Sequence, residues 1–589
     1  MTDLSEVASV ISVAPDLIQI EVRSSDEYRD LGVEIEIGSY LKISDDNDLA
    51  MVVIVKSYRI KDRLGDASGQ ELSTLSFVID TQPVGRLQDG KFSRGGKQIA
   101  IPPTRIEIAG KDVLEEIYSS VEDKKKFSFG SLVQNEAVRV VVDGDKFFGK
   151  HIGVIGSTGS GKSCTVAKII QEGTKPSSAQ ENGGILNNSH VIIFDLHGEY
   201  RSAFPDSNVI DTTNLKLPYW LMNSEELEEM FIESRENNSH NQISQFRQAV
   251  IENKKRYLRE GGRGVSYDSP VYFSLREVIN YLSNLNLEVI GKLDNEHLPK
   301  LANGDLVQNR SDFYFPSLLR FAEQSTAGGR KASNGPFHGE FNRFLMRLDA
   351  RLNDKRLSFL LNPRKEDAEE SEYGTDDLAE ILGQFTGYGF QKKRNITIID
   401  LSGIPFEVLS VVVSLITRLI FTFNFYFKKN KVSSGRDLPF LLVYEEAHNY
   451  IPQSEGARYG SVKKAIERIA KEGRKYGVSL MIVSQRPSEI SETVFSQCNN
   501  FVAMRLTNPA DQHYVKRLLP DTVGAITDAL PSLEKQEVIV IGDSILVPSL
   551  VKIDDIDRRP DSHDINFHTE WQQDWLDVAV SGILEKWRE

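Results

Sequence analysis

The stretch that decides the fold is Gly156-Ser157-Thr158-Gly159-Ser160-Gly161-Lys162-Ser163. It matches the pattern G-x-x-x-x-G-K-[ST], in which a glycine-rich loop follows a strand and opens a helix. The context agrees, because the apolar run HIGVI precedes the loop and the helical pattern CTVAKIIQEG follows it. Backbone N–H groups then converge on one point, which predicts a polyphosphate site with Lys162 on the β- and γ-phosphates and the Ser163 hydroxyl on Mg²⁺. The predicted nucleotide-binding residues are Gly156, Ser157, Thr158, Gly159, Ser160, Gly161, Lys162, Ser163 and Cys164.

A second apolar run ends in a pair of acids that suits nucleotide hydrolysis. FLLVY (440–444) is followed directly by Glu445 and Glu446. Such a pair alone is weak evidence, but beside a phosphate loop it becomes strong. We predict that Glu445 supports Mg²⁺ through its water shell and that Glu446 polarises the attacking water.

Further polar residues stand at or near the ends of apolar runs. Gln485 follows VSLMIVS and can contact the γ-phosphate or the water, although a structural hydrogen bond at a strand end is the alternative. Asp195 ends VIIFD at an edge where α/β sheets bind ligands, or it caps its own loop. Arg474 and Arg505 are candidates to neutralise charge in the transition state, and an ordinary surface arginine is an equally good interpretation of each.

Composition excludes several classes of protein. Of 589 residues, 40% are hydrophobic and 26% are charged, which is typical of globular proteins and excludes disordered and collagen-like chains. The two cysteines, Cys164 and Cys498, are too few for a disulfide framework or a zinc cluster and indicate a reducing cytoplasm. The net charge of −15 does not attract phosphate polymers overall, so any nucleic-acid contact must use basic residues confined to one inner surface.

The chain divides into four predicted parts. Short β-rich runs separated by polar turns predict a small barrel or sandwich over residues 1–142. Continuous apolar strands followed by helical patterns predict a mostly parallel α/β domain formed by 143–215 and 391–555. The helical stretch 216–390 is far too long for a connection and predicts an inserted domain, and 556–589 form a C-terminal tail.

Two helical segments can be assigned more closely. The apolar stretch 408–427 is as long as a bilayer span, but it carries Arg418 near its middle, so a buried helix of the α/β domain is favoured over a membrane span. Asn223 and Glu226 have the spacing of a capping box that opens a helix. One long helix is predicted over 337–361.

The motifs GSTGSGKS, DLHGEY, YEEAHNYIP, EGRKYGVSL and SQRPSEI occur in that order, and with them the chain resembles the HerA family of hexameric DNA-translocating ATPases. The resemblance covers nearly the whole length. It implies a RecA-type α/β core of the P-loop NTPase class, an N-terminal β-barrel over 1–142, an inserted helical bundle over 216–390 and a C-terminal brace.

The resemblance also implies roles for individual residues. Lys162 and Ser163 become ligands of ATP and Mg²⁺, Glu445 the metal-directed acid and Glu446 the catalytic base. Gln485 becomes the sensor of the γ-phosphate. Arg474 is similar to an arginine that acts across a subunit boundary, and Arg505 is similar to one that acts nearer its own site. In the commonest nucleotide hydrolases an Asp occupies the position of Glu445, whose longer side chain still reaches a metal-bound water.

The partners implied are further copies of the chain in a homohexamer and double-stranded DNA threaded through its pore. Basic residues in QKKR (391–394) and in SEGARYGSVKK (454–464) are candidates to contact the DNA. The family works with the NurA nuclease, and bacterial relatives look similar to ring components of anti-phage complexes with sirtuin-like NAD hydrolases. Two hypotheses therefore stand. The first is a motor that translocates on duplex DNA and unwinds it or feeds it to a nuclease, in end processing or defence. The second is a scaffold ring that assembles and switches a partner effector, with hydrolysis as its timer.

Overall fold

The computed structural model describes residues 3–30, 35–45, 49–61, 76–95, 103, 105–175, 188–232, 239–258, 264–293, 297–365, 368–388, 394–430, 435–454, 460–518, 524–562 and 565–588. Two large β-sheets organise these residues. The first is formed by the N-terminal region and the second by the segments on either side of a long, mainly helical insertion.

The N-terminal sheet has seven antiparallel strands. They are β1 (Ala8–Val13), β2 (Ile18–Val22), β3 (Tyr40–Ser44), β4 (Ala50–Lys61), β5 (Ser76–Gln88), β6 (Lys91–Arg94) and β7 (Arg105–Ile108), accompanied by helices α1 (Ser25–Asp30) and α2 (Lys111–Ser119). The order is β1-β2-β5-β4-β3-β7, with β6 paired to β5. An isolated bridge between Asp3 and Glu107 joins β7 to the residues before β1. The β-rich character of this region is as predicted, and a closed barrel stays a prediction.

The first half of strand β4, from Ala50 to Val55, is buried on both of its faces. Met51, Val53 and Val55 belong to a core inside the N-terminal sheet, whereas Val52 and Ile54 belong to the large core shared with the rest of the protein. Successive side chains of a strand point to opposite faces, so this alternation places apolar side chains in two cores at once. The N-terminal sheet is therefore packed onto the remainder of the molecule.

The second sheet has eleven strands and carries the phosphate loop. The stretch of chain that first enters it contains β8 (Lys126–Phe127), β9 (Gly130–Leu132), β10 (Asn135–Arg139), β11 (Val142–Asp143), α3 (Gly144–Gly149), β12 (His151–Ile155), α4 (Lys162–Thr174), β13 (His190–Asp195) and β14 (Asn208–Ile210). Of these, β8 and β11 pair only with each other. Strand β9 pairs with a strand from the C-terminal part of the sheet, so residues 130–139 extend this sheet.

The insertion that follows is mainly helical. It contains α5 (Ser224–Phe231), α6 (Ser239–Tyr257), α7 (Leu275–Leu287), β15 (Val289–Gly291), α8 (Arg310–Phe313), β16 (Ala332–Asn334), α9 (Asn342–Leu352), α10 (Ser358–Leu361), β17 (Arg364–Lys365), β18 (Ala368–Glu372) and α11 (Leu378–Thr386). The predicted capping box is confirmed, because the side chain of Asn223 accepts from the N–H of Glu226 and the Glu226 carboxylate accepts from the N–H of Asn223. The single helix predicted over 337–361 is wrong, since α9 and α10 are separated by a 3-10 turn at Lys355–Leu357.

The chain then returns to the second sheet. It adds β19 (Ile396–Asp400), α12 (Phe406–Asn430), β20 (Phe440–Tyr444), α13 (Gly460–Glu472), β21 (Val478–Ser484), α14 (Glu492–Phe495), β22 (Cys498–Ala503), α15 (Pro509–Leu518), α16 (Gly524–Thr527), β23 (Glu537–Gly542), β24 (Ser549–Ile553), α17 (Phe567–Trp571) and α18 (Val580–Arg588). The order is β10-β9-β24-β23-β22-β12-β21-β20-β13-β19-β14. The seven strands from β22 to β14 are parallel, and the others on the β10 side are antiparallel. The predicted α/β fold of the P-loop class is confirmed.

Helix α12 is the one described helix that is long and apolar enough to cross a membrane. Most of its apolar stretch is buried inside the protein, against the sheet and the neighbouring helices. Its Arg418 is held by the buried carboxylate of Glu226 at 2.7 Å. The interpretation of 408–427 as a core helix therefore agrees with the packing.

Candidate functional site

The phosphate loop lies between the end of β12 and the start of α4. Gly159 and Gly161 have φ of 74° and 99°, a left-handed conformation that glycine adopts without a steric penalty. A Cβ on Gly156 would lie 2.5 Å from Ser160 Oγ and 2.8 Å from Met504 Cβ, so only glycine fits there. A helix leaves the N–H groups of its first turn without partners inside the helix, and here that turn begins at Lys162. The loop therefore presents the predicted anion site.

Two of the predicted residues lie beside this loop. The hydroxyl of Thr158 donates to Gln485 Oε1, which stands just beyond the end of β21. The Ser157 N–H donates to the carbonyl oxygen of Arg505 at 2.8 Å, while the Arg505 side chain is exposed. Gln485 therefore meets the loop through its side chain and Arg505 through its backbone. Lys162 is buried as a residue, and its ammonium donates to the carbonyl of Ser157 at 3.4 Å.

Glu445 follows β20 and is almost completely buried. The hydroxyl of Tyr200, itself fully buried, donates to Glu445 Oε2 at 2.7 Å. Burial is the main cause that raises the pKa of Glu445 to about 8, and the charges of Glu446 and Glu199 add to it while Tyr200 and Lys162 oppose it. A cation placed beside this carboxyl would therefore stabilise its ionised form.

Glu446 has a strained backbone in the same place. Its φ of 47° and ψ of 50° are left-handed, which costs an L-residue with a Cβ about 1–2 kcal/mol. The side chain is mostly buried, and no described residue donates a hydrogen bond to its Oε2 atom. His448 Nδ1 lies 3.3 Å from that oxygen, and burial lowers the pKa of His448 while the charge of Glu446 opposes this shift. A strained backbone and an unsatisfied carboxylate oxygen are what a positioned general base requires.

Asp195 turns out to cap its own loop. Its carboxylate accepts from the N–H groups of Gly198, Glu199 and Tyr200 at 2.8–3.1 Å. Asp195 was interpreted either as a ligand-binding residue at the edge of the sheet or as a cap of its own loop, and these three hydrogen bonds support the second interpretation. This capped turn positions Glu199 and Tyr200 beside the site.

Glu199 is the residue that the sequence reasoning missed. Burial is the main cause that raises the pKa of its half-buried carboxyl above the ordinary value; the charges of Asp195 and Glu446 add to the shift, and the nearby Ser163 hydroxyl opposes it. The available signal was its position in DLHGEY, directly after a parallel strand and at the ligand-binding edge of the sheet.

Arg474 lies at the opposite edge of the sheet from the loop. It is exposed and precedes the first residue of β21, whereas the loop follows the last residue of β12, a parallel neighbour. Arg474 lines a largely apolar cavity of about 580 Å³ together with Phe127, Phe148 and Phe440. One copy of the chain therefore does not bring Arg474 to its own loop.

The remaining predicted residues are placed as follows. Cys164 sits half-buried in the first turn of α4, and burial raises the pKa of its thiol, which is therefore not an activated nucleophile. Lys464 pairs with Glu225 of the insertion at 2.6 Å. Residues 391–393 and 455–459 of the predicted DNA-contacting segments lie outside the described residues.

Comparison with known proteins identifies relatives of this chain. The family described as "Helicase HerA, central domain" matches residues 127–420. The DNA double-strand break repair helicase HerA of Sulfolobus acidocaldarius is 26% identical over 582 residues, which cover 94% of this chain and 96% of that protein. A probable DNA double-strand break repair helicase HerA of Methanocaldococcus jannaschii is 26% identical over 551 residues, covering 89% of this chain and 94% of that protein.

Among solved structures, VirB4 of Thermoanaerobacter pseudethanolicus aligns with a TM-score of 0.44 and 13% identity, covering 74% of this chain and 98% of that one. The bacterial conjugative coupling protein TrwB aligns with a TM-score of 0.42 and 12% identity, covering 78% of this chain and 94% of that one.

Proposed function

This chain belongs to the HerA helicase family of ATPases, and on that premise we propose that it is an ATP-hydrolysing hexameric ring that translocates on double-stranded DNA. The observation that carries the proposal is Glu446. Its carboxylate is buried, has an oxygen to which no described residue donates, and is held by a strained backbone at the edge of the sheet where the phosphate loop lies. A structural role gives no reason for that combination.

The residues of the site divide the work of hydrolysis. Lys162 and the N–H groups of the loop bind the phosphates, and Gln485, held against Thr158, senses the γ-phosphate. Glu446 takes a proton from the attacking water, which it orients from its buried position. Tyr200 fixes the rotamer of Glu445 through its 2.7 Å hydrogen bond.

The site fits Mg²⁺ brought in with the nucleotide. No group of three or more His, Cys, Asp or Glu side chains within the described residues is arranged to hold a metal ion alone. A Ser163 hydroxyl beside Glu199, together with buried Glu445, nevertheless supplies the hard oxygen ligands and water partners that Mg²⁺ prefers once phosphates complete its shell. Bound there, Mg²⁺ would neutralise phosphate charge.

A ring is required because the parts of the active site lie at two edges of each subunit. Arg474 of one copy reaches the nucleotide of its neighbour, and Arg505 acts within its own subunit. The C-terminal tail supports assembly, since it exposes Trp571 of α17, Trp587 of α18 and Trp575 between the two helices, apolar side chains that a neighbouring copy would cover as a brace. The N-terminal sheet closes as the barrel of the ring.

The ring works in the cytoplasm with a separate effector, a nuclease or a sirtuin-like enzyme, in DNA end processing or anti-phage defence. The relatives named for double-strand break repair support the DNA substrate. A scaffold ring, in which hydrolysis only times the partner, is the competing outcome.

The test is steady-state ATP hydrolysis by the assembled protein, with and without duplex DNA and an effector, at low and physiological salt. A motor is stimulated by DNA, and its DNA affinity falls steeply with salt because neutralised phosphates release counterions. If ATP turnover does not change with DNA and no salt-sensitive DNA binding is found, the motor hypothesis is rejected and the scaffold ring is favoured. Removing the charges of Lys463 and Lys464 should weaken binding equally for unrelated sequences.

A further inference from the structure

Helix α5 of the insertion touches the core through three acids on one face. Glu226 is fully buried and accepts from Arg418 and Ser414 of α12 at 2.7 and 2.8 Å. Glu225 pairs with Lys464 at 2.6 Å. The insertion is therefore tied to helices α12 and α13 of the ATPase core by charged contacts.

The third acid, Glu229, holds the start of helix α13. Its Oε2 accepts from the backbone N–H of Ser461, the second residue of that helix, at 3.0 Å. Its other oxygen accepts from the hydroxyl of Ser410 on α12. A carboxylate at a helix N-terminus satisfies a free N–H group and complements the helix dipole. Glu229 thus fixes one end of α13 relative to α12 and α5.

The other end of α13 leads directly to Arg474. The helix has 13 residues and is about 20 Å long, and the turn Gly473–Tyr476 follows it immediately. A Cβ on Gly473 would lie 2.6 Å from the carbonyl oxygen of Val478 and 2.7 Å from Ile469 Cγ2, so the turn is packed tightly between α13 and β21. The connection between α13 and Arg474 therefore has little room to deform, so a displaced α13 would carry Arg474 with it.

We propose that Glu229 is a positioning residue for Arg474: by capping α13 it sets where Arg474 meets the nucleotide of the neighbouring subunit. The proposal rests on the proposed function, in which Arg474 acts in trans. It gives the insertion a part in hydrolysis, since a shift of α5 moves the arginine of the same subunit and so changes the site of the next one.

The test uses rings mixed from two inactive subunits. Subunits with Arg474→Ala keep Glu446, and subunits with Glu446→Gln keep Arg474, so their mixture regains turnover where the two intact residues meet. Adding Glu229→Ala to the Glu446→Gln subunit, which supplies the arginine, should lower the regained turnover about three- to tenfold, the size of a lost helix cap expressed as a rate. Adding it to the Arg474→Ala subunit should leave the regained turnover unchanged.

Glu229→Gln is the second variant, because its amide oxygen still accepts from Ser461, and it should fall between Glu229→Ala and the parent. Glu228→Ala is the matched control on the same helix, since Glu228 pairs with Arg247 inside the insertion and not with α13. Equal losses from Glu229→Ala in either subunit would make Glu229 merely structural and overturn the proposal. A parent mixture that regains nothing would overturn the trans role of Arg474 itself, and the positioning role with it.

Discussion

At the carboxyl edge of its parallel strands the protein buries acids and strains its backbone, whereas at the amino edge it leaves Arg474 exposed over an apolar cavity. The carboxyl edge holds Glu445 and Glu446, whose charges oppose burial and each other. The amino edge holds aromatic rings, with His190 stacked on Phe440 at 4.8 Å. Under the proposed function, the two edges are unlike halves of a site, and a second copy of the chain would bring Arg474 to the carboxyl edge of its neighbour.

The largest expected effect comes from the carboxyl edge. Replacing Glu446 with Gln should lower ATP turnover about a hundredfold or more while nucleotide binding persists, because the base is lost and the phosphate contacts are kept. Lys162→Ala should instead weaken binding. Turnover and fluorescent-nucleotide binding measure the two effects, with the exposed Glu136→Gln as control. Near-normal turnover of Glu446→Gln would show that Glu446 is not the general base.

The amino edge should matter nearly as much, but only in the assembled ring. Arg474→Ala should reduce turnover about tenfold or more with unchanged nucleotide affinity, since it withdraws a charge that stabilises the transition state. Lys475→Ala, one residue away and also exposed, is the matched control. Equal turnover by Arg474→Ala and Lys475→Ala would show that the side chain of Arg474 has no part in hydrolysis.

Glu199 should have a smaller effect that depends on metal concentration. Glu199→Gln removes a charge beside Ser163, so turnover should fall about three- to tenfold at limiting Mg²⁺ and recover as Mg²⁺ is raised. A Mg²⁺ titration of turnover measures this, with Glu172→Gln on α4 as control. A loss that excess Mg²⁺ does not restore would argue against the metal-side assignment.

The smallest expected effect is on stability. The folded pKa of Glu445 is raised from 4.5 to about 8, so the folded state keeps a proton that the unfolded state releases, and stability falls as pH rises between those values. Without nucleotide, Glu445→Gln should therefore melt higher than the parent by about 1–3 °C at pH 8, with a smaller difference at pH 5. Calorimetry at both pH values checks it. A difference that does not grow with pH would mean that the buried charge is compensated in another way.

Much of the fold could be predicted from the sequence, and the reason lies in its central strands. HIGVI and VSLMIVS coincide with β12 and β21 because strands buried on both faces are continuous apolar runs with no competing pattern. The helix over 337–361 was predicted too long because apolar spacing continues through the break. There, the Asp354 side chain accepts from the N–H of Arg356 and starts a 3-10 turn.

The candidate site was predictable where neighbours in sequence are neighbours in space. The loop and the Glu445–Glu446 pair follow strand ends, so a parallel sheet brings them to one edge. Glu199 was missed because its approach to Ser163 depends on the turn that Asp195 caps, which no spacing reveals. The left-handed backbone of Glu446 was equally invisible, since nothing in the residue type favours it.

The two-sided burial of β4 has a mechanical consequence. A hinge between the N-terminal sheet and the ATPase core would have to pull Val52 and Ile54 out of the shared core and expose them to water. At about 1.5–3 kcal/mol for each such side chain, thermal motion rarely does so. Tyr40 and Arg94 add hydrogen bonds from the sheet to carbonyls near residues 542–548. The N-terminal sheet and the core therefore move as one rigid body. A partner bound to this sheet would be displaced together with the core in each conformational change, with no flexible joint between them.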